Sequence, residues 1–88
     1  MERKPIMECI TEAFMLVRMH TAPPSLKQVQ EAVGGYVELV TLDNEDQLLV
    51  NEEGLLLGLP SNPWASALSG RRIVGRAVLL QGAARWTE

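Results

Sequence analysis

The stretch Ser25–Asn62 reads SLKQVQEAVGGYVELVTLDNEDQLLVNEEGLLLGLPSN, and its reading decides the fold. Ser25 offers a hydroxyl ahead of Leu26, and Gln28 stands three residues on, the spacing of a capping box. Leu26, Val29 and Val33 share one helical face, while Lys27 and Glu31 pair four apart on another. Gly34-Gly35 then stops the helix, because glycine takes the left-handed C-terminal conformation without steric penalty. The result is a helix over about 26–33, too short to stand without a sheet to pack on. Tyr36–Leu42 follows as a strand, Asp43-Asn44-Glu45-Asp46 as a polar turn and Leu48–Val50 as the next strand. Asn51-Glu52-Glu53-Gly54 reads as a tight hairpin in which Gly54 supplies a positive φ. Leu55–Leu59 returns as a third strand and Pro60 ends it, so the spacing predicts an antiparallel meander.

Outward from that stretch the signals thin. Downstream, Asn62-Pro63 resembles a helix start, with asparagine as cap and proline at the first helical position. Trp64 and Leu68 share a face, and Gly70 closes a second short helix over about 63–69. Arg71-Arg72 leads into a final strand, Ile73–Leu80, interrupted at Gly75. Upstream, Pro23-Pro24 stiffens the approach to Ser25. Ile6, Ile10, Phe14 and Val17 fit a helical stripe over 6–19. The compact apolar run Phe14–Met19 favours instead two strands, about 6–11 and 14–20, with a turn at Glu12-Ala13. The expected fold class is α+β: a small, mainly antiparallel sheet of four to six strands with two short helices.

The 88 residues make one domain, with residues 1–5 and 83–88 expected as loose tails. A chain this short buries only about 60–65% of its unfolded surface, so its core is thin. Apolar residues at 47% against 22% charged place it among globular chains. No apolar run is long enough to span a membrane. Glu8 and Glu12 interrupt what Arg3 and Lys4 would begin as a signal peptide, so a cytoplasmic location is expected. The single cysteine, Cys9, lies among Ile6, Met7 and Ile10 and reads as a buried, inert thiol.

Charge is uneven. Residues 1–60 carry four basic side chains (Arg3, Lys4, Arg18, Lys27) against ten acidic, or −6; residues 61–88 carry four arginines against Glu88, or +3. The ordinary reading is a solvated surface. The sharper one is a polar molecule whose ends meet different partners, or each other in a homodimer. Leu55-Leu56-Leu57 and Val78-Leu79-Leu80 are apolar on both strand faces, where a one-sided sheet would alternate. Two short helices leave part of such a sheet uncovered, so self-association is expected.

Chemistry is hard to find. His20 has no sequence-level partner, and Ser25, Ser61, Ser66 and Ser69 sit at caps or small helix positions with no nucleophile elbow. Asp43-Asn44-Glu45-Asp46 lacks the central glycine and final glutamate of a calcium loop. No glycine loop links strand to helix with a following lysine. The reading is therefore non-enzymatic, with no cofactor and no metal. Arg71, Arg72, Arg76 and Arg85 beside Trp64 and Trp86 could bind nucleic acid, but a pI of about 5.1 opposes generic affinity for phosphate.

Several segments carry a family resemblance: Leu26-Lys27-Gln28-Val29-Gln30-Glu31-Ala32-Val33-Gly34-Gly35-Tyr36-Val37-Glu38, then Val50-Asn51-Glu52-Glu53-Gly54, Gly58-Leu59-Pro60, Asn62 and Ile73-Val74-Gly75. In order and spacing, over roughly 25–82, the chain resembles small phage, plasmid and bacterial proteins catalogued as domain of unknown function three-eight-four-six. The resemblance implies a small α+β domain carried by mobile elements, with no activity and no catalytic residues to transfer. It also shifts the expected partner towards a host protein, with inhibition of a CRISPR-type defence complex as one form. The contacts expected for such a partner are Glu45, Asp46, Glu52 and Glu53 on acidic loops, and Trp64, Arg71, Arg72, Arg76 and Trp86 at the basic end, tryptophan and arginine being the commonest hot-spot types. Trp64 reads equally as core. Two other classes compete: an oligomeric binder of a nucleotide signal, with arginines converging between subunits, and a nucleic-acid module on the C-terminal arginines.

Overall fold

A computed structural model describes residues 5–17 and 21–87. Five strands form one mixed sheet in the order β1-β2-β5-β4-β3. β1 (Met7–Thr11) and β2 (Phe14–Val17) form an antiparallel hairpin about Glu12-Ala13, with a register break between Cys9 and Thr11. β3 (Val37–Thr41) and β4 (Gln47–Asn51) form a second hairpin. The last strand, β5 (Ala77–Leu80), lies between them, parallel to β2 and antiparallel to β4. The α+β class, the mainly antiparallel sheet and the two N-terminal strands all stand as expected; Arg18, Met19 and His20, within the expected second strand, lie outside the described residues.

The helices match their sequence signals. α1 (Leu26–Val33) has a complete capping box: Gln28 N–H donates to Ser25 Oγ at 3.1 Å, and Ser25 N–H donates to Gln28 Oε1 at 2.8 Å. Gly34 closes it in the left-handed region at φ 81°. α2 (Pro63–Ser69) starts at the Asn62 cap and ends at Gly70. They cover opposite faces of the sheet. On the α1 face, Val29 and Val33 pack with Val17, Leu49, Val78 and Leu80; on the α2 face, Ala65 packs with Phe14, Leu48, Val50, Ala77 and Leu79. Every residue of β5 is buried, because it has a strand on each side and a helix over each face. Fully burying a leucine such as Leu48, Leu49 or Leu80 contributes roughly 1.5–3 kcal/mol.

Four expectations are corrected. Leu55–Leu59 is not a strand: residues 52–58 form a helical turn, with Leu57 N–H donating to Glu53 O at 2.9 Å and Leu59 N–H to Gly54 O at 3.1 Å. The neighbour of β4 is β5, so the meander stops at two strands and Leu55–Leu57 no longer argues for a doubly covered sheet. Gly54 has no positive φ; it is needed because a Cβ there would lie 2.8 Å from Val74 Cγ2. Cys9 is exposed, since β1 is an edge strand with a partner on one side only. Finally, the C-terminal segment is docked. Residues Gly82–Ala84 form a 3-10 turn with Ala84 fully buried, and the Trp86 indole N–H donates to Pro24 O at 2.8 Å.

Candidate interaction surface

The loop after β4 is built by three constraints. Buried Asn51 donates from Nδ2 to Val33 O at 3.1 Å and accepts Glu53 N–H on Oδ1 at 2.8 Å, which ties the end of α1 to the start of the loop. Gly54 lies flat against Val74. Leu59 packs on Gly75, where a Cβ would meet Leu59 Cδ1 at 2.7 Å. With both ends held, the turn between them projects its apolar side chains outward. Leu55, Leu56 and Leu57 are 65%, 85% and 59% exposed. Three adjacent leucines on a pinned loop are an exposed apolar patch, not the scattered singles of an ordinary surface.

Charged residues rim it. Glu38, Glu52, Leu55, Arg71 and Arg72 surround a shallow dent of about 60 Å³ floored by Ile73 and Val74. Arg71 Nη2 lies 3.3 Å from Glu38 Oε2, across the two elements. Both side chains are about half exposed, so the pair orients them and adds under about 1 kcal/mol. The structure thus brings together Glu52, Arg71 and Arg72 of the sequence-derived contacts, with Glu53 next to them on the exposed loop.

The other expected contacts lie elsewhere. Glu45 and Asp46 belong to the β3–β4 turn, where Glu45 sits at φ 72°. Gln81 Nε2 donates to Asp46 Oδ2 at 2.9 Å, and Arg85 Nη1 donates to Glu45 O at 3.2 Å. Trp86 is half-buried and committed to the fold: beyond its indole bond, its N–H donates to Gln47 Oε1 at 2.6 Å. Trp64 is 54% exposed, contrary to a core role, and stacks on Phe14 with ring centroids 6.1 Å apart. Arg76 lies in a separate cleft beside α1 and stands just before β5, whereas Arg85 follows it. The four C-terminal arginines therefore do not form one basic face.

Leu55–Leu57 was not recognisable as a contact from sequence, because an apolar run ended by Gly58 and Pro60 has the signature of a strand. Glu12 and Glu31, which share the cleft with Arg76, carry no local signal either; only the fold brings them together.

A family model described as a domain of unknown function (DUF3846) matches residues 9–87. No curated protein and no solved structure matches the chain.

Proposed function

We propose, for a chain that belongs to the DUF3846 family, a non-enzymatic role as a protein-binding module whose contact surface centres on Leu55, Leu56 and Leu57. The observation that carries the reading is the outward projection of these leucines from a loop held at both ends. Apolar centre and charged rim are the anatomy of a protein interface. The leucines expose on the order of 400 Å², enough for the apolar centre of an interface of roughly 800 Å² per partner whose remainder the charged rim supplies. The fitting occupant is a different protein with an apolar pocket for Leu56, and with charges that answer Glu52 and Glu53 on one side and Arg72 on the other. Following the family resemblance, we place that partner in a bacterial host, with a CRISPR-type defence complex as one target of a phage- or mobile-element-borne module acting in the cytoplasm.

The test is affinity capture from a bacterial lysate with the wild-type chain and L56E in parallel. A stoichiometric complex formed by the wild type and lost in L56E, with unchanged far-UV circular dichroism, is the expected result. Equal capture by both chains would remove the leucine patch from the interface.

A further inference from the structure

The cleft beside α1 has a charge pattern that neither the core nor the leucine patch uses. It consists of two adjoining cavities of about 540 and 480 Å³, within the range of small-molecule sites. Both are lined by Glu12, Glu31 and Arg76. These three come from separate elements: the β1–β2 turn, α1, and the approach to β5. None of them pairs with another, since the one ion pair between described side chains joins Arg71 and Glu38. Two carboxylates and a guanidinium thus face a common space with their charges unspent on each other.

Their backbones are held. Buried Asn62 donates from Nδ2 to Ala13 O and to Gly75 O, each at 2.8 Å, and so fixes the residues next to Glu12 and Arg76 with one amide. Gly75 N–H also donates to Pro60 O at 2.7 Å. Glu31 sits in a helix closed at both ends by its caps. Charged groups on fixed supports can recognise a ligand without first being ordered. Beyond the charges and Gln28, whose Oε1 is taken by Ser25 N–H, the second cavity is lined by Met7, Cys9, Met15 and Ala32, and methionine adapts to side chains of varied shape.

We propose that this cleft binds an apolar α-amino acid as its zwitterion. The ligand carboxylate takes the guanidinium of Arg76, a charge-assisted and geometrically specific pairing. Its ammonium takes the carboxylates of Glu12 and Glu31, and its side chain enters the methionine-lined cavity. A ligand carrying both charges satisfies the constellation, whereas an anion meets two carboxylates and a simple cation meets Arg76. This site is independent of the protein-binding reading.

The test uses L-methionine, N-acetyl-L-methionine, which lacks the ammonium, and L-methioninamide, which lacks the carboxylate. Each is titrated at millimolar concentration into the full chain while amide resonances are followed by NMR. L-methionine is expected to shift the amides of Glu12, Ala32 and Arg76, with each derivative binding at least about tenfold more weakly. R76Q should lose the preference for L-methionine over its amide, and E31Q should weaken that for L-methionine over its N-acetyl form. No saturable shift with L-methionine, or equal binding of all three compounds to the wild type, would overturn the proposal without depending on any variant.

Discussion

Replacing Asn62 by alanine should be among the most damaging single changes in this chain, and its cost can be built from its bonds. Asn62 is 1% exposed and its side chain makes three hydrogen bonds: Oδ1 accepts Ala65 N–H at 3.1 Å, and Nδ2 donates to Ala13 O and Gly75 O. Loss of the cap costs about 1 kcal/mol. Gly75 O loses its donor in a buried position, which costs about 1–2 kcal/mol. Ala13 O still accepts Ala77 N–H at 2.9 Å, so its loss is smaller, under about 1 kcal/mol. The sum is about 3 kcal/mol, a large share of the roughly 4–13 kcal/mol expected for a chain of this size. Thermal unfolding followed by circular dichroism should show Tm lower by roughly 15 °C. N62S keeps a capping oxygen and loses the amide donors, so it should recover about 1 kcal/mol of the deficit. If N62A costs no more than an ordinary helix cap, or N62S equals the wild type, then the clamp between Ala13 and Gly75 contributes nothing and the reasoning fails.

Other substitutions separate the mechanisms at work. G54A should cost about 1–3 kcal/mol by overpacking against Val74, readable as a lower urea midpoint with an unchanged slope. S25A should cost about 1 kcal/mol, with hydrogen exchange accelerated first in α1. Removing residues 82–88 should strip Ala84 and Trp86 from the α1-face core and lower Tm markedly, whereas a loose tail would leave it unchanged. L56E should stay within about 0.5 kcal/mol of the wild type in stability while losing its partner, because Leu56 packs on nothing that folding needs.

Features written in adjacent residues were legible in the sequence. Ser25 with Gln28, Gly34, Asn62-Pro63 and Gly70 are local signals, and both helices appear where those signals place them. The turn at Glu12-Ala13 is local in the same sense. What failed depends on distant neighbours. Leu55–Leu59 has the composition of a strand, but the edge of β4 it would have occupied is taken by β5, which packs there with Val78 and Leu80 against Leu49. Gly54 announced a turn, yet its requirement comes from Val74, twenty positions on. Cys9 sits in an apolar segment but on an edge strand, so its burial could not be read from its companions. Trp86 was read as a contact because its anchor, Pro24 O, lies at the other end of the chain. Within the candidate surface, Glu52 reads from sequence as part of an acidic loop and Arg71 and Arg72 as a separate basic end; only the fold brings them around one dent, and the leucines beside them were hidden by the strand assignment.

The placement of β5 has a consequence for how the chain is made. It is the last strand in sequence and the middle strand in space, and its parallel partner, β2, is synthesised far earlier, ending at Val17 before α1, β3, β4 and α2 appear. Until Ala77–Leu80 docks, the chain holds two separate hairpins, each with an unfilled inner edge. Neither can close its layer, because the strand that joins them is not yet in place. The sheet therefore cannot assemble in the order of the sequence, and the long loop closed by the β2–β5 pairing places it among slower topologies for a chain of this length. The hairpins carry unpaired apolar edges until β5 is seated, so that interval is when the chain is most exposed to aggregation.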